Sequence, residues 1–209
     1  MTVAGIAGMD WTADISAETM SRLEVHVAML HKWNPAINLV APASLKDAWT
    51  RHVSDSVQLF DLGGDNCKHW ADLGSGAGFP GLVVACLAAQ RAPEMRVTLV
   101  ESDHRKAEFL RSVSRETGVA VRVLDSRIEA LPPLEADVVS ARALAPLPAL
   151  CAYAVRHLAP SGRALFLKGA RAEEEVRSAR IAWRFDLESR PSATDPAGSV
   201  LILTDLQHA

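Results

Sequence analysis

Cysteine, aromatic residues, positive charge and long apolar runs are all scarce in this sequence, and each scarcity removes a class of protein. The three cysteines, Cys67, Cys86 and Cys151, are an odd number without a short-spaced pair. That argues against a disulfide framework and leads to the expectation of a reducing, cytoplasmic setting. Cys67-x-His69 is too sparse for a zinc site, so no metal is expected. Aromatic residues make up 5% of the chain, too few for a stacking platform for single-stranded nucleic acid. The net charge is −3, so any RNA contact has to come from a local basic face. No Lys or Arg precedes Arg22, which leaves out the positive region of a secretory signal. The longest apolar run, Leu82 to Ala89, falls well short of the roughly 18 residues of a membrane span.

What is present is the balance of an ordinary globular protein, 49% hydrophobic and 22% charged over 209 residues. Residues 1–16, rich in Ala, Gly and Thr, read as a loose terminus. Met20, Leu23, Val27 and Leu30 recur at helical spacing and predict an amphipathic helix over 17–33, stopped by Trp33-Asn34-Pro35. A second helix is expected over 45–60, with Ser44 and Asp47 as a capping pair and Leu45, Trp49, Val53, Val57 and Phe60 as its apolar stripe. Beyond Gly63-Gly64 strands and helices alternate. Strands are expected near 68–73, 96–101, 119–124, 135–140, 163–168, 184–190 and 199–205, and helices near 79–90, 104–117, 146–158 and 171–182. This alternation implies a mostly parallel seven-stranded α/β sheet with helices on both faces. The link from Pro191 to Gly198 is too short for a crossover helix, so the last two strands should form an antiparallel hairpin at an edge. The expected organisation is one domain over 17–209, a helical cap (17–62) on an α/β core (66–209).

The strongest chemical signal is Asp72-Leu73-Gly74-Ser75-Gly76-Ala77-Gly78-Phe79-Pro80-Gly81, a strand running through a glycine-rich turn into a helix. Glycines allow close backbone approach to a ligand, and a helix N-terminus offers free N–H groups. A phosphate loop needs Lys after the last glycine, where Leu82 stands, and a nucleophile elbow needs Gly where Leu73 stands. Gly76, Gly78 and Gly81 match the dinucleotide pattern literally, which alone is a weak signal, and an NAD-linked oxidoreductase stays open as an alternative. Glu101, at the end of the strand Val97 to Val100, can accept hydrogen bonds from a ribose diol, whichever adenosine cofactor carries it. Ser126 and Glu129 have capping-box spacing. Ser140-Ala141-Arg142-Ala143 closes the fourth strand, and Cys151 lies too far into the following helix to act as a nucleophile. His26, His31, His69 and His104 read as surface or cap residues. Glu173-Glu174-Glu175 reads as the acidic first turn of a helix.

The spacing Asp72-x-Gly74-x-Gly76-x-Gly78 resembles motif I of class I methyltransferases, whose Rossmann-like fold carries the antiparallel terminal hairpin expected here. Neither the Asn/Asp-Pro-Pro-aromatic motif of amino-directed enzymes nor the Pro-Cys nucleophile of cytosine-C5 enzymes is present. A more specific resemblance runs from about Lys32 to Leu206. It includes Lys32-Trp33-Asn34, Asn38-Leu39, Arg51-His52 with Asp55-Ser56, the loop ending Gly78-Phe79-Pro80-Gly81, and Arg105-Lys106 with Phe109-Leu110. It continues through Ser126-Arg127 with Glu129, Ser140-Ala141-Arg142-Ala143, and Leu167-Lys168-Gly169. By these residues the chain resembles the bacterial small-subunit ribosomal RNA guanine-N7 methyltransferases, the glucose-inhibited division protein B family. Relatives commonly carry proline where Ala77 stands. The resemblance implies S-adenosylmethionine as cofactor and 16S ribosomal RNA, or a small-subunit assembly particle, as partner. It implies Gly74, Gly76, Phe79, Glu101, Ile128, Glu129 and Arg142 as cofactor-side residues. Arg51, His52 and Lys168 are implied as candidates for holding RNA phosphate or base edges. A relative that binds RNA without catalysis is the second alternative.

Overall fold

The computed structural model describes residues 14–63 and 67–209. The loose terminus expected over residues 1–16 falls, for residues 1–13, outside the described residues, as does the junction at 64–66. Ser16 caps the first helix, its hydroxyl accepting from Thr19 N–H, while its own N–H donates to Gln90 Oε1 at 3.0 Å.

That helix, α1 (Ala17–Ile37), runs past the predicted stop and contains Pro35. A proline so near the end removes one hydrogen bond, and the helix then terminates on Asn38 in the left-handed region, whose N–H reaches Asn34 O. The second helix is broken instead of continuous. α2 (Pro42–Leu45) is followed by a π-helical turn at Trp49–Val53 and then α3 (Ser54–Gly63). Ser44 does not cap a helix; its hydroxyl donates to Ala41 O. The wide turn redirects Arg51 and His52, and such turns cluster at functional sites.

The core strands are β1 (His69–Leu73), β2 (Arg96–Glu101), β3 (Arg122–Asp125), β4 (Ala136–Arg142), β5 (Leu158–Lys168), β6 (Trp183–Pro191) and β7 (Ser199–His208). The helices between them are α4 (Gly81–Arg91), α5 (His104–Thr117), α6 (Leu147–His157) and α7 (Ala172–Ala179). The sheet order is β3-β2-β1-β4-β5-β7-β6, with β7 antiparallel to both β5 and β6 and the remaining pairs parallel. The edge hairpin is as expected. β5 starts at Leu158 without a loop after α6, five residues before the predicted start.

Side chains alternate along each strand, so the sheet has two cores. Trp70, Val97, Leu99 and Leu165 face α1, α3, α4 and α5, whereas Ala71, Val100, Val139 and Phe166 face α6 and α7. After β1 the chain moves outward to β2 and β3, then returns to lay β4 on the opposite side of β1. The carboxyl ends of β1 and β4 therefore flank a topological switch point, where open α/β sheets bind ligands. Among the described residues no helix is long and apolar enough to cross a membrane.

Gly81 begins α4 where it crosses β1 and β2 most closely. A Cβ there would lie 2.3 Å from Leu99 Cδ2 and 2.7 Å from Asp72 Oδ2. Gly81→Ala should therefore lower unfolding free energy by about 1–3 kcal/mol, the range for overpacking a tight core. Urea unfolding followed by circular dichroism measures this, and unchanged stability would contradict the packing.

Candidate active site

At the carboxyl end of β1 the backbone turns through Gly74, Gly76 and Gly78, with φ of 65°, 51° and 82°. These are left-handed values that side-chain-bearing residues rarely adopt. The turn is held from below by Asp72, which is 1% exposed. Its Oδ2 accepts from Gly81 N–H at 3.2 Å and its Oδ1 from Ser140 Oγ at 2.7 Å, and that hydroxyl in turn accepts from Trp70 Nε1–H at 2.8 Å. Burial nevertheless pushes the Asp72 carboxyl up to about 6, against these hydrogen bonds and the charge of Arg142. Glu101, at the end of β2, closes the other side. Its Oε2 accepts from Gly76 N–H at 2.9 Å and its Oε1 from Asp103 N–H at 2.8 Å. A carboxylate offers about four lone-pair sites, so acceptor capacity remains for a diol.

Above the loop lies a cavity of about 970 Å³, at the large end of the range for small-molecule sites. Gly74, Gly76, Phe79, Glu101, Ile128, Glu129, Arg142, Arg51, His52 and Lys168, the residues singled out in the sequence, all line it. They arrive from separate elements: the π-turn, the glycine loop, the turn at Ile128–Ala130 after β3, and the carboxyl ends of β2, β4 and β5. The capping box expected of Ser126 and Glu129 does not form. Ile128–Ala130 is a single 3₁₀ turn without a side-chain cap, because Ser126 N–H is taken by Glu101 O. Ile128 is buried there, while the Glu129 carboxylate accepts from Tyr153 Oη at 2.8 Å.

Phe79 is the centre of the cavity floor. His26 stacks on it with centroids 4.6 Å apart, His52 lies 5.1 Å away, and the Arg142 guanidinium carbon sits 5.2 Å from its centroid. Arg142 donates from Nη1 to His52 Nδ1 at 2.8 Å. Since arginine only donates, Nδ1 must accept and the ring proton sits on Nε2, which donates to Ser44 Oγ at 3.2 Å. Burial, then the charges of Arg142 and Arg51, lower the His52 pKa to about 3. Arg142 itself is held down to about 10 by burial.

Lys168 reaches the cavity, but its ammonium is engaged, donating to Ala145 O at 2.8 Å and pairing with Glu175 at 2.6 Å. Glu175 also accepts from Leu147 N–H at 2.7 Å. The residue expected only to favour a helix dipole thus ties β5, α6 and α7 together behind the loop that follows β4. Arg51 is exposed and forms no ion pair among the described residues. Cys151 is fully buried and its thiol is pushed up to about 12. Among the described residues no group of His, Cys, Asp and Glu is placed to hold a metal ion.

Two of the histidines expected at the surface or in the cap are buried, one of them in the cap. His69 bonds Thr98 Oγ1 at 2.9 Å at the far end of β1. His26 is fully buried on α1, and its Nε2–H donates to the loop carbonyl Ala77 O at 2.8 Å. Its place among Leu23, Val27 and Leu30 on the buried face of α1 was the available signal. His31 and His104 are exposed, as expected.

The fold and this site are those of a class I methyltransferase, an S-adenosylmethionine-dependent enzyme. A methyltransferase of that dependence from Aquifex aeolicus superposes with a TM-score of 0.61 at 14% identity, over 78% of this chain and 98% of that one. An O-methyltransferase from Bacillus cereus solved in complex with S-adenosylhomocysteine gives 0.57 at 14% identity, over 92% and 93%. At such identities the likeness speaks for the fold alone. The family described as rRNA small subunit methyltransferase G matches residues 19–195, and this chain belongs to it. Ribosomal RNA small subunit methyltransferase G from Cereibacter sphaeroides is 51% identical over 93% of this chain and 95% of its own length. The protein of the same description from Paramagnetospirillum magneticum is 50% identical, over 92% and 91%.

Burial lowers the His26 pKa from 6.5 to about 4. The unfolded chain therefore binds a proton near pH 6.5 that the native state refuses until about pH 4. Stability is full above pH 6.5 and falls as the pH drops toward 4, by about 2 kcal/mol from this residue between pH 7 and 5. The raised Asp72 acts with the opposite sign below pH 6 and offsets part of the fall. Urea unfolding at pH 7 and pH 5 should show a smaller pH-dependent loss in His26→Gln than in the wild type. Equal losses would mean that the imidazole is not held neutral.

Proposed function

We propose that this chain transfers the methyl group of S-adenosylmethionine to N7 of a guanine in 16S ribosomal RNA, a cytoplasmic reaction on the small subunit or its assembly particle. The cavity suits the cofactor. Glu101 has lone pairs left for ribose hydroxyls, the glycine turn admits a close ligand, and Ile128 with Glu129 offers an apolar wall beside a polar edge. When bound, the sulfonium supplies an activated methyl group whose leaving group needs no acid. Arg51 and Arg142 give the cavity positive charge on a chain of net −3, which supports an RNA phosphate or base edge as the second ligand.

The observation that carries the choice of acceptor is the state of His52. Among the described residues it is the one histidine lining the cavity, both its ring nitrogens are committed, and its pKa of about 3 removes it from acid–base work near neutrality. Guanine N7 has an in-plane lone pair and no proton to lose. Such an acceptor requires alignment more than proton transfer, and alignment can supply roughly 7–11 kcal/mol. Arg142, fixed by His52 and stacked near Phe79, is the group that orients the acceptor side.

Two measurements test this reading. Calorimetry should show S-adenosylhomocysteine binding with no comparable NADH binding, and Glu101→Ala should weaken it by about 1.5–3 kcal/mol, the range for hydrogen bonds to a charged group. NADH binding in its place would restore the oxidoreductase alternative. Second, the single-turnover rate on saturating ribosomal RNA should be flat between about pH 6 and 9, the span free of the lowered His52 pKa. His52→Gln should reduce the rate equally at every pH, since it loosens Arg142. An acidic limb near pH 6.5 that vanishes in His52→Gln would identify a general base and an acceptor that carries a proton.

A further inference from the structure

The cavity has two ends. Glu101, Ile128 and the glycine turn make one, and the π-turn, the start of α3 and the β6–β7 link make the other. At this second end stands Asp55, 9% exposed and lining the cavity. Its Oδ1 accepts two hydroxyl protons, from Ser192 at 2.9 Å and Thr194 at 2.6 Å. These hydrogen bonds hold the β6–β7 link against α3, aided by Gln58, which donates to Pro191 O and accepts from Ala193 N–H. Both lone pairs of Oδ1 are used. Oδ2 has no hydrogen-bond partner among the described residues, and unlike the enclosed Nδ1 atoms of His26, His69 and His157 it stays accessible, on a residue that lines the cavity. An accessible carboxylate oxygen with both lone pairs open can accept N–H donors from a ligand. The charge of Arg142 reaches Asp55, but no guanidinium nitrogen lies within ion-pair distance.

The other acidic groups lining the cavity are differently placed. Glu101 takes backbone N–H groups on both oxygens, and Glu175 takes Lys168 and Leu147. Glu129 is exposed and belongs to the cofactor end, and Asp195, in the β6–β7 link itself, is only half-buried and accepts from Ala197 N–H at 2.9 Å. At the end that remains for a base, Asp55 is therefore the more buried of the two carboxylates, and its Oδ2 is open to the cavity. Guanine differs from adenine in presenting N–H donors, N1–H and the exocyclic N2 amine, on the edge away from N7. An acceptor with two open lone pairs complements that edge, and adenine, whose N1 is itself an acceptor, would face the carboxylate with like polarity.

On the reading of the cavity given above, we propose that Asp55 is a specificity-determining residue, its Oδ2 accepting from the Watson–Crick-edge donors of the acceptor guanine while Oδ1 anchors the β6–β7 link. Asp55→Asn is the natural probe. The amide oxygen can keep Ser192 and Thr194, while the NH2 group replaces Oδ2 and repels guanine donors.

The experiment uses small subunits reconstituted with 16S RNA carrying guanine, inosine or 2-aminopurine at the mapped acceptor position. Inosine lacks the N2 amine, and 2-aminopurine lacks N1–H. The wild type should lose about tenfold to a hundredfold in kcat/KM on each analogue, the scale of one hydrogen bond to a charged group. Asp55→Asn should lose a similar factor on guanine, bind S-adenosylhomocysteine within about twofold of wild type, and no longer distinguish inosine from guanine. An unchanged inosine penalty in Asp55→Asn would overturn the proposal. If that variant does not fold, the wild type alone decides, because equal rates on guanine and both analogues would overturn it as well. Absence of 7-methylguanine from the wild-type reaction on natural RNA would sink the underlying reading together with the proposal, whereas its presence with no analogue penalty sinks only the role of Asp55.

Discussion

The site depends on one buried carboxylate. Asp72 sits under the glycine turn with its two oxygens tied to α4 and to β4, and through Ser140 to Trp70. The hydrogen bonds and the field of Arg142 support a charge in that position, but burial outweighs them and raises its pKa. The arrangement joins β1, β4 and the start of α4, the three elements that bound the switch point of the sheet. Glu101 then acts on the same turn from β2 through Gly76 N–H. The turn is thus held by carboxylates on two sides, and its glycines take the left-handed φ values it requires where Leu144 and Leu82 pack against Gly74 and Gly78.

The helices that precede the sheet complete the cavity. His26 on α1 donates to Ala77 O, and its ring stacks on Phe79. The π-turn brings His52 against the same ring, where it accepts from Arg142. One aromatic side chain therefore links α1, the π-turn and the end of β4. The hydrogen bonds from Arg142 through His52 and Ser44 to Ala41 O run in one direction, which fixes the tautomer and leaves no proton acceptor on the ring. Charge is distributed unevenly to match. Elsewhere cations face acids, as in Arg22 with Glu18 and Arg115 with Glu108, while Arg51 remains exposed at the mouth of the cavity.

Much of this was legible in one dimension. Period-2 and period-3.6 patterns located the strands and helices of the core, with α5 (His104–Thr117) and β2 (Arg96–Glu101) placed to the residue. The failures have local causes. Pro35 was read as a stop, yet in the last turn it costs one hydrogen bond and Asn38 supplies the cap. The break at residues 46–48 carries no glycine or proline to announce it. Ser126 and Glu129 have the spacing of a capping box, but the backbone N–H of Ser126 is claimed by Glu101 O from a neighbouring strand end.

By itself the sequence determined the α/β class, the edge hairpin, the glycine turn with Glu101, and the family to which the chain belongs. These depend on short-range periodicity and on residue types whose backbone demands are intrinsic. Only the tertiary structure decided which polar side chains are free to act. His26 read as a surface or cap residue, and the fold made it a buried anchor of the loop. Lys168 read as a candidate for holding RNA and became half of an ion pair with Glu175. His52 became a neutral hydrogen-bond relay, and Asp55 kept one oxygen open. Protonation and availability are set by burial and by partners that lie 7 to 139 positions away along the chain, and local patterning carries no information about such partners.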